Sequence, residues 1–387
     1  MDFCKTMIPF NKPYLTGKET QYILDAVHSG KISGDGEFSR KCQKFFETYF
    51  QFGKCLLTTS CTDALEMAAI LINISPGDEV IIPSYTFVST ANAFVLRGAK
   101  IKFCDSGADN PNIDPDQIEK LISKNTKAIV VVHYAGVACD MDKIMKIAQQ
   151  YSLYVIEDAA QAIHSYYKGR ALGSFGSLSA FSFHETKNVQ CGEGGMIVIN
   201  DEELIGRAEI IREKGTNRSA FFRGQVDKYN WVDMGSSFLP SDLLAAFLYA
   251  QLENLEGIQR RRILIWEYYY SELSVLESEG LLRLPFIPEY ATNNAHMFYL
   301  VCRSEQERDA IILRLKENGI LAVFHYQSLH LSPFYKGKYV GEQLINAERY
   351  SKQLLRLPLF YELQRGDQQK VVETIYSYFK KNHQFII

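Results

Sequence analysis

No stretch of this chain is apolar over the roughly 18 residues that a membrane-spanning helix needs, and Met1 to Pro13 lacks the pattern of a signal peptide. The expected location is therefore the cytoplasm. The eight cysteines are scattered and contain no CxxC pair, which argues against a disulfide framework and for reduced thiols. Charge of one sign is also missing. Against 42 basic residues stand 45 acidic ones, for a net charge of -3 with no block of like charge, so neither nucleic acid nor an anionic membrane is favoured as a partner. A nicotinamide fingerprint is absent: Cys191-Gly192-Glu193-Gly194-Gly195 is not GxGxxG, and Gly34-Asp35-Gly36 follows a helical pattern rather than a strand. His325 and His330 have no matching Cys or carboxylate set nearby, so no metal site is expected. No internal repeat or low-complexity segment appears.

What remains is an ordinary globular composition, 47% hydrophobic and 22% charged, over 387 residues. That length exceeds one simple core, and the pattern divides unequally. Seven short apolar runs lie at Cys55 to Thr58, Glu79 to Ile82, Lys100 to Cys104, Ala128 to His133, Tyr154 to Glu157, Leu178 to Phe183 and Met196 to Ile199. Most are separated by stretches of helical period, which predicts an α/β fold with a seven-stranded, largely parallel sheet. A long connecting helix is expected from Leu243 to about Glu272. Strands over His296 to Cys302 and Ile320 to Tyr326, with helices over Glu305 to Asn318 and Asp367 to Lys381, predict a smaller α+β unit. The expected division is a large domain over residues 1–250 and a connecting helix with a small domain over 251–387.

In open parallel sheets ligands bind beyond the carboxyl ends of the strands. Two chemically suggestive groups stand there. Asp158 ends the run Leu153-Tyr154-Val155-Ile156-Glu157, and Lys187 follows Leu178 to Phe183 within Ser182-Phe183-His184-Glu185-Thr186-Lys187-Asn188. Singly, such a lysine is usually a solvated surface group and such an aspartate a helix cap. In this order and spacing they suit pyridoxal 5'-phosphate: the lysine amine condenses with the cofactor aldehyde, and the aspartate keeps the pyridine nitrogen protonated. This is the layout of the aspartate aminotransferase-like fold, fold type I.

A phosphate needs its own seat. Thr58-Thr59-Ser60-Cys61-Thr62-Asp63-Ala64-Leu65 opens a helix directly after the first run, where unpaired N–H groups and the helix dipole favour an anion, although capping by Ser60 or Thr62 gives the same signature. Ser182 adds a hydroxyl. Phe87 either stacks on the pyridine ring or packs in the core, and Gln161 either hydrogen-bonds the ring's phenolic oxygen or lies in a surface loop. For His325, Tyr326 and His330 the choice is between substrate contact and packing.

The motifs Glu157-Asp158-Ala159-Ala160-Gln161 and Phe181-Ser182-Phe183-His184-Glu185-Thr186-Lys187-Asn188, with flanking strings from Ile8-Pro9-Phe10 to Leu357-Pro358-Leu359, resemble the DegT/DnrJ/EryC1/StrS sugar aminotransferases over nearly the whole chain. That resemblance implies Lys187 as cofactor lysine and general base, and Asp158 at the pyridine nitrogen. It implies Gln161 near the phenolic oxygen, Phe87 on the ring, and Thr62, Asp63 and Ser182 at the phosphate. It also implies at least a homodimer with shared sites, in which a polar residue crosses to the neighbour's phosphate. Ser237 stands where most members have asparagine, and the nearby Asn230 competes for the role. Ser60-Cys61-Thr62-Asp63-Ala64-Leu65 and Gly235-Ser236-Ser237-Phe238-Leu239-Pro240-Ser241-Asp242 are most similar to members that move an amino group from L-glutamate to carbon 4 of dTDP-4-keto-6-deoxyglucose, supplying an enterobacterial common antigen precursor. Members with histidine in place of the lysine remove a sugar hydroxyl instead; Lys187 favours transamination.

Overall fold

The computed structural model describes residues 7–383. All seven apolar runs become strands of one sheet: β1 (Lys54–Thr58), β2 (Glu79–Pro83), β3 (Lys100–Cys104), β4 (Thr126–Val132), β5 (Tyr154–Asp158), then, after a short hairpin of β6 (Tyr166–Tyr167) and β7 (Arg170–Ala171), β8 (Leu178–Ser182) and β9 (Gly195–Ile199). The order is β1-β9-β8-β5-β4-β2-β3. Pairs β2–β3, β2–β4, β4–β5 and β5–β8 are parallel, whereas β9 runs antiparallel to both β8 and β1. Six strands therefore share one direction. Their carboxyl ends lie along one edge, and that edge gathers the segments after β1, β2, β5 and β8.

Both faces of the sheet are buried, as helical crossovers require. Successive side chains point to opposite faces, so Ile129 and Val131 of β4 enter one core while Ala128 and Val130 enter the other. The helix Cys61–Leu71 covers the second face through Ala64, Leu65 and Ala68. On the first face, Asp242–Leu252 contributes Ala245, Ala246 and Leu248.

The long connecting helix is two helices, Asp242–Leu252 and Leu255–Ser278. The chain turns at Glu253 and Asn254, and asparagine favours helix ends because its side chain competes for backbone hydrogen bonds. Beyond it lies a three-stranded antiparallel sheet, β10 (Phe298–Val301), β11 (Val323–Phe324) and β12 (Leu354–Leu357), in the order β10-β12-β11. The expected strand over Ile320 to Tyr326 shrinks to two residues. The central strand β12 was not anticipated, since four residues between a helix and Pro358 carry too short a pattern to declare a period. A third core includes Ile265, Phe298, Leu355 and Ile375, and Ile8 joins it through a bridge to Ile320. Among the described residues no helix is long and apolar enough to cross a membrane.

Candidate active site

At the carboxyl edge of the large sheet, a cavity of about 780 Å³ is lined by residues from both sheets. Asp158 closes β5 at its floor and is only 5% exposed. Its Oδ2 accepts from Thr90 Oγ1 at 2.7 Å and its Oδ1 from the Ala160 N–H at 3.2 Å. Burial pushes the carboxyl above its ordinary value, and these bonds offset part of that rise. A carboxylate so placed is stabilised by a cation arriving in the cavity.

Lys187 lies on the wall, five residues past the end of β8. Burial holds its amine below the ordinary lysine value, countered in part by the nearby Cys61 and Asp158. A lowered amine is more readily neutral, hence nucleophilic. Lys187 and Asp158, 29 residues apart in sequence, thus share one cavity because β5 and β8 are parallel neighbours.

The helix Cys61–Leu71 presents its N-terminus to the same space. Ser60 is its N-cap, with Oγ accepting from the Asp63 N–H at 3.0 Å. Ser60, Cys61 and Thr62 line the cavity, and Thr62 Oγ1 donates to Ser89 Oγ at 2.8 Å. The first N–H groups of a helix have no partner within it, so Cys61 and Thr62 retain donors for an anion. Gly195 makes this cradle possible: a Cβ there would collide with the Ser60 carbonyl and the Cys61 nitrogen. Ser182, Phe87 and Gln161 also line the cavity. Phe87 leaves 54% of its surface uncovered, and its ring lies 6.1 Å from that of Tyr326. Gln161 accepts from the Ala135 N–H at 2.6 Å and gives one Nε2 hydrogen to Tyr326 Oη at 3.0 Å. The amide is thereby oriented with a second hydrogen still to give.

Two expected residues are placed elsewhere. Asp63 does not line the cavity: its carboxylate accepts from Thr59 Oγ1 and its N–H is taken by the Ser60 cap. The residues of this helix start that line the cavity are Ser60, Cys61 and Thr62. His330 does not line the cavity either: it is 3% exposed, with Nδ1 2.6 Å from Ser84 Oγ and its ring packed against Tyr339. His325 and Tyr326 do line the cavity; His325 Nδ1 lies 2.8 Å from Tyr134 Oη. Within the single chain, Ser237 and Asn230 stay outside. Ser237 lines a separate, charged cavity of about 670 Å³ with Lys31, Asp35, Arg212 and Arg218. Asn230 lies in an exposed loop, where its N–H donates to Asn217 Oδ1 at 2.7 Å. Sequence reasoning also missed Arg356, which reaches the cavity from β12. Its one available signal was a charge inside the apolar string Leu354-Leu355-Arg356-Leu357. Among the described residues no group of three or more His, Cys, Asp or Glu side chains is arranged to hold a metal ion.

Comparison with known proteins agrees with this geometry. The model of the DegT/DnrJ/EryC1/StrS aminotransferase family matches residues 13–376. The chain belongs to that family. It is 33% identical over 377 residues to the spore coat polysaccharide biosynthesis protein SpsC of Bacillus subtilis, covering 95% of this chain and 96% of SpsC. Among solved structures, S. venezuelae DesV in complex with a ketimine intermediate superposes with a TM-score of 0.87 at 30% identity, covering 97% of this chain and 99% of DesV. The PLP form of a putative sugar aminotransferase from Streptococcus pneumoniae gives 0.87 at 26% identity, covering 97% and 99% of the two chains. As a member of this family the chain is a sugar aminotransferase of fold type I, with pyridoxal phosphate as cofactor. The cavity fits that group, since it offers an amine of lowered basicity, a buried carboxylate short of a cation, an uncovered aromatic ring and a helix N-terminus built to approach an anion.

Proposed function

We propose that this aminotransferase moves an amino group from L-glutamate to carbon 4 of dTDP-4-keto-6-deoxyglucose, giving 2-oxoglutarate and dTDP-4-amino-4,6-dideoxygalactose. The transamination half of this reading rests on one observation: Lys187 and Asp158 line the same cavity beside a helix N-terminus. The sugar half rests on the strings 60–65 and 235–242, which are most similar to enzymes of that substrate.

Each residue has a defined task in this reading. Lys187 would hold the cofactor at rest and, when freed by the donor, its amine would be the base that takes the proton from the donor's α-carbon. Asp158 keeps a proton on the pyridine nitrogen, held in place by Thr90 and Ala160. When bound, the cofactor supplies an aldehyde to take up the amino group and a ring to accept electrons. Phe87 would cover one face of that ring, Gln161 would donate to its oxygen, and Ser60, Cys61, Thr62 and Ser182 would receive the phosphate. His325 and Tyr326 face the substrate from the small sheet. A different nucleotide keto-sugar is the competing substrate.

The test is incubation of purified enzyme with L-glutamate and dTDP-4-keto-6-deoxyglucose, followed by NMR of the product. An axial amine at carbon 4 is expected. An equatorial amine, or no product while another keto-sugar is aminated, rejects this substrate.

A further inference from the structure

A buried polar network fixes one histidine of the cavity wall in a single tautomer. Asn188, the residue after Lys187, is only 4% exposed. Its Nδ2 donates to Gln259 Oε1 and to the main-chain carbonyl of Asn294, each at 2.8 Å. A main-chain carbonyl can only accept, so the amide cannot be turned round, and Asn188 Oδ1 faces His296 Nδ1 at 3.0 Å. An amide oxygen also only accepts. His296 must therefore carry a proton on Nδ1. Its backbone is pinned as well, since its N–H donates to Asn294 Oδ1 at 3.0 Å and its carbonyl accepts from Arg262 Nη2 at 2.8 Å.

The other ring nitrogen keeps its lone pair. Burial first, and then the Lys187, Arg356 and Arg262 charges, hold His296 well below the ordinary imidazole value, so the ring is neutral. With Nδ1 protonated, Nε2 is a bare acceptor. Among the described residues Nε2 has no hydrogen-bond partner, and His296 lines the same cavity as Lys187. Of the charges that act on the ring, that of Lys187 is the largest, which sets the amine beside it. A neutral lysine amine carries two hydrogens and one lone pair, and rotation about its last bond changes which of them meets a substrate. An acceptor fixed beside that amine removes the freedom.

We propose that His296 is a positioning residue for transamination: its Nε2 accepts one N–H of the freed Lys187 amine and turns the amine's lone pair towards the α-hydrogen of the amino donor. No bond to His296 forms or breaks. As Lys187 Nζ takes up the α-proton it becomes an ammonium, so its hydrogen bond to Nε2 becomes charge-assisted and strengthens as the proton moves. Asn188 then has two tasks, holding the main chain beside Lys187 and holding the tautomer that leaves Nε2 bare. This inference rests on the aminotransferase reading above, with Lys187 as the base.

Two substitutions separate the ring nitrogens. His296→Asn keeps an amide N–H near the place of Nδ1 and offers nothing at Nε2, whereas His296→Gln reaches the place of Nε2 with an amide oxygen and gives up the Nδ1 proton. Single turnovers of holoenzyme with L-glutamate are followed by the loss of visible cofactor absorbance. His296→Asn should slow the limiting rate about 10- to 100-fold, the scale of a misplaced reacting group, with the half-saturating glutamate concentration changed by less than about threefold. His296→Gln should load faster than His296→Asn although its cofactor-free form melts lower; a purely structural histidine gives one order in both measurements. The α-deuterated donor should load His296→Asn more slowly than the ordinary one, because the slowed step is proton transfer. A further readout needs no cofactor: nitrogen NMR of isotopically labelled histidines in the cofactor-free parent, assigned by difference against His296→Gln, should show Nδ1 protonated and Nε2 bare. A proton on Nε2, His296→Asn loading as fast as the parent or as His296→Gln, or no isotope effect in His296→Asn overturns the proposal. If the parent loads nitrogen from a different amino acid and not from L-glutamate, the donor reading fails, while the tautomer and the same comparisons with that amino acid still decide the role of His296.

Discussion

Glu157 and Asp158 are adjacent carboxylates with opposite surroundings. Because side chains alternate along β5, Asp158 faces the cavity while Glu157 points into the protein. There Glu157 accepts from the N–H groups of Gly173, Phe175 and Gly176, each at 2.7 Å, and from His133 Nε2 at 3.0 Å. The Cys139 N–H donates to His133 Nδ1, so the ring proton that faces Glu157 sits on Nε2. Glu157 is thus satisfied without a ligand and Asp158 is not. The raised carboxyl of Asp158 sets the sign of a pH effect. A folded-state value above the unfolded one means that ionised Asp158 destabilises the cofactor-free chain at neutral pH, and this deficit closes as pH falls through the raised value towards the unfolded one of about 4. Thermal melts of cofactor-free Asp158→Asn should therefore lie above the parent at neutral pH and converge with it in acid. With cofactor present the outcome reverses: donor half-transamination should slow roughly 100-fold or more, the scale of a lost proton-handling group. An unchanged half-reaction rate removes Asp158 from the mechanism. For Lys187→Ala, visible absorbance of the linked cofactor and catalytic turnover should both disappear, although cofactor can still bind noncovalently. Normal turnover in that variant contradicts the central assignment.

At the scale of elements, the reversed strand β9 lies between β1 and β8, both of which end at the cavity. It pairs with β1 on one side and β8 on the other, and its first residue, Gly195, lies against the turn that opens the helix Cys61–Leu71. Ser182 pairs with this glycine, as does Thr58 at the end of β1. A methyl group here must displace backbone rather than a flexible side chain. Gly195→Ala should cost about 1–3 kcal/mol by overpacking and weaken cofactor binding, as read by thermal melts and cofactor titration. Gly206 supplies the contrast, since it lies within the helix Ile205–Arg212 and an added methyl there would meet open space. Gly206→Ala should be neutral or stabilise the fold by up to about 1 kcal/mol through helix propensity, with cofactor affinity unchanged. Equal effects at both glycines show that the close approach to Ser60 has no consequence.

For the whole molecule, we propose a large domain over residues 1–250 and a small one over 251–387, with the segment around Ile8 returning to pair beside Ile320. We further propose at least a homodimer. In this reading, helix N-terminal N–H groups and hydroxyls would receive the phosphate within one chain, and among the described residues Lys187 and Arg356 are the only lysine and arginine that line the cavity. A donor from a second copy, Ser237 or Asn230, then has a physical purpose. Single variants at these positions identify which one is severe. Mixing that variant with Lys187→Ala under conditions of subunit exchange should restore part of the activity, because some hybrid dimers carry one site with both native residues. A proven hybrid with no rescue, or an active monomer by light scattering, places each site within one chain.

The linear pattern alone determined the sheet: seven apolar runs with helical spacers have few other ways to bury both faces, and all seven became strands. It also carried Lys187, Asp158, Thr62, Phe87, Gln161 and Ser182 to one edge, because residues after parallel strands share an end. Tertiary structure decided what depends on direction and distant contact. Ser60 took the Asp63 N–H and turned Asp63 away, Ser84 and Tyr339 enclosed His330, and β12 delivered Arg356 from the far end of the chain. A strand of four residues has too little period to be read locally, and a side chain's partner across about 170 to 250 positions leaves no mark in its own neighbourhood. The alternation of strand side chains makes one of two adjacent carboxylates face the cavity, but which one depends on the pairing of β5 with β4 and β8.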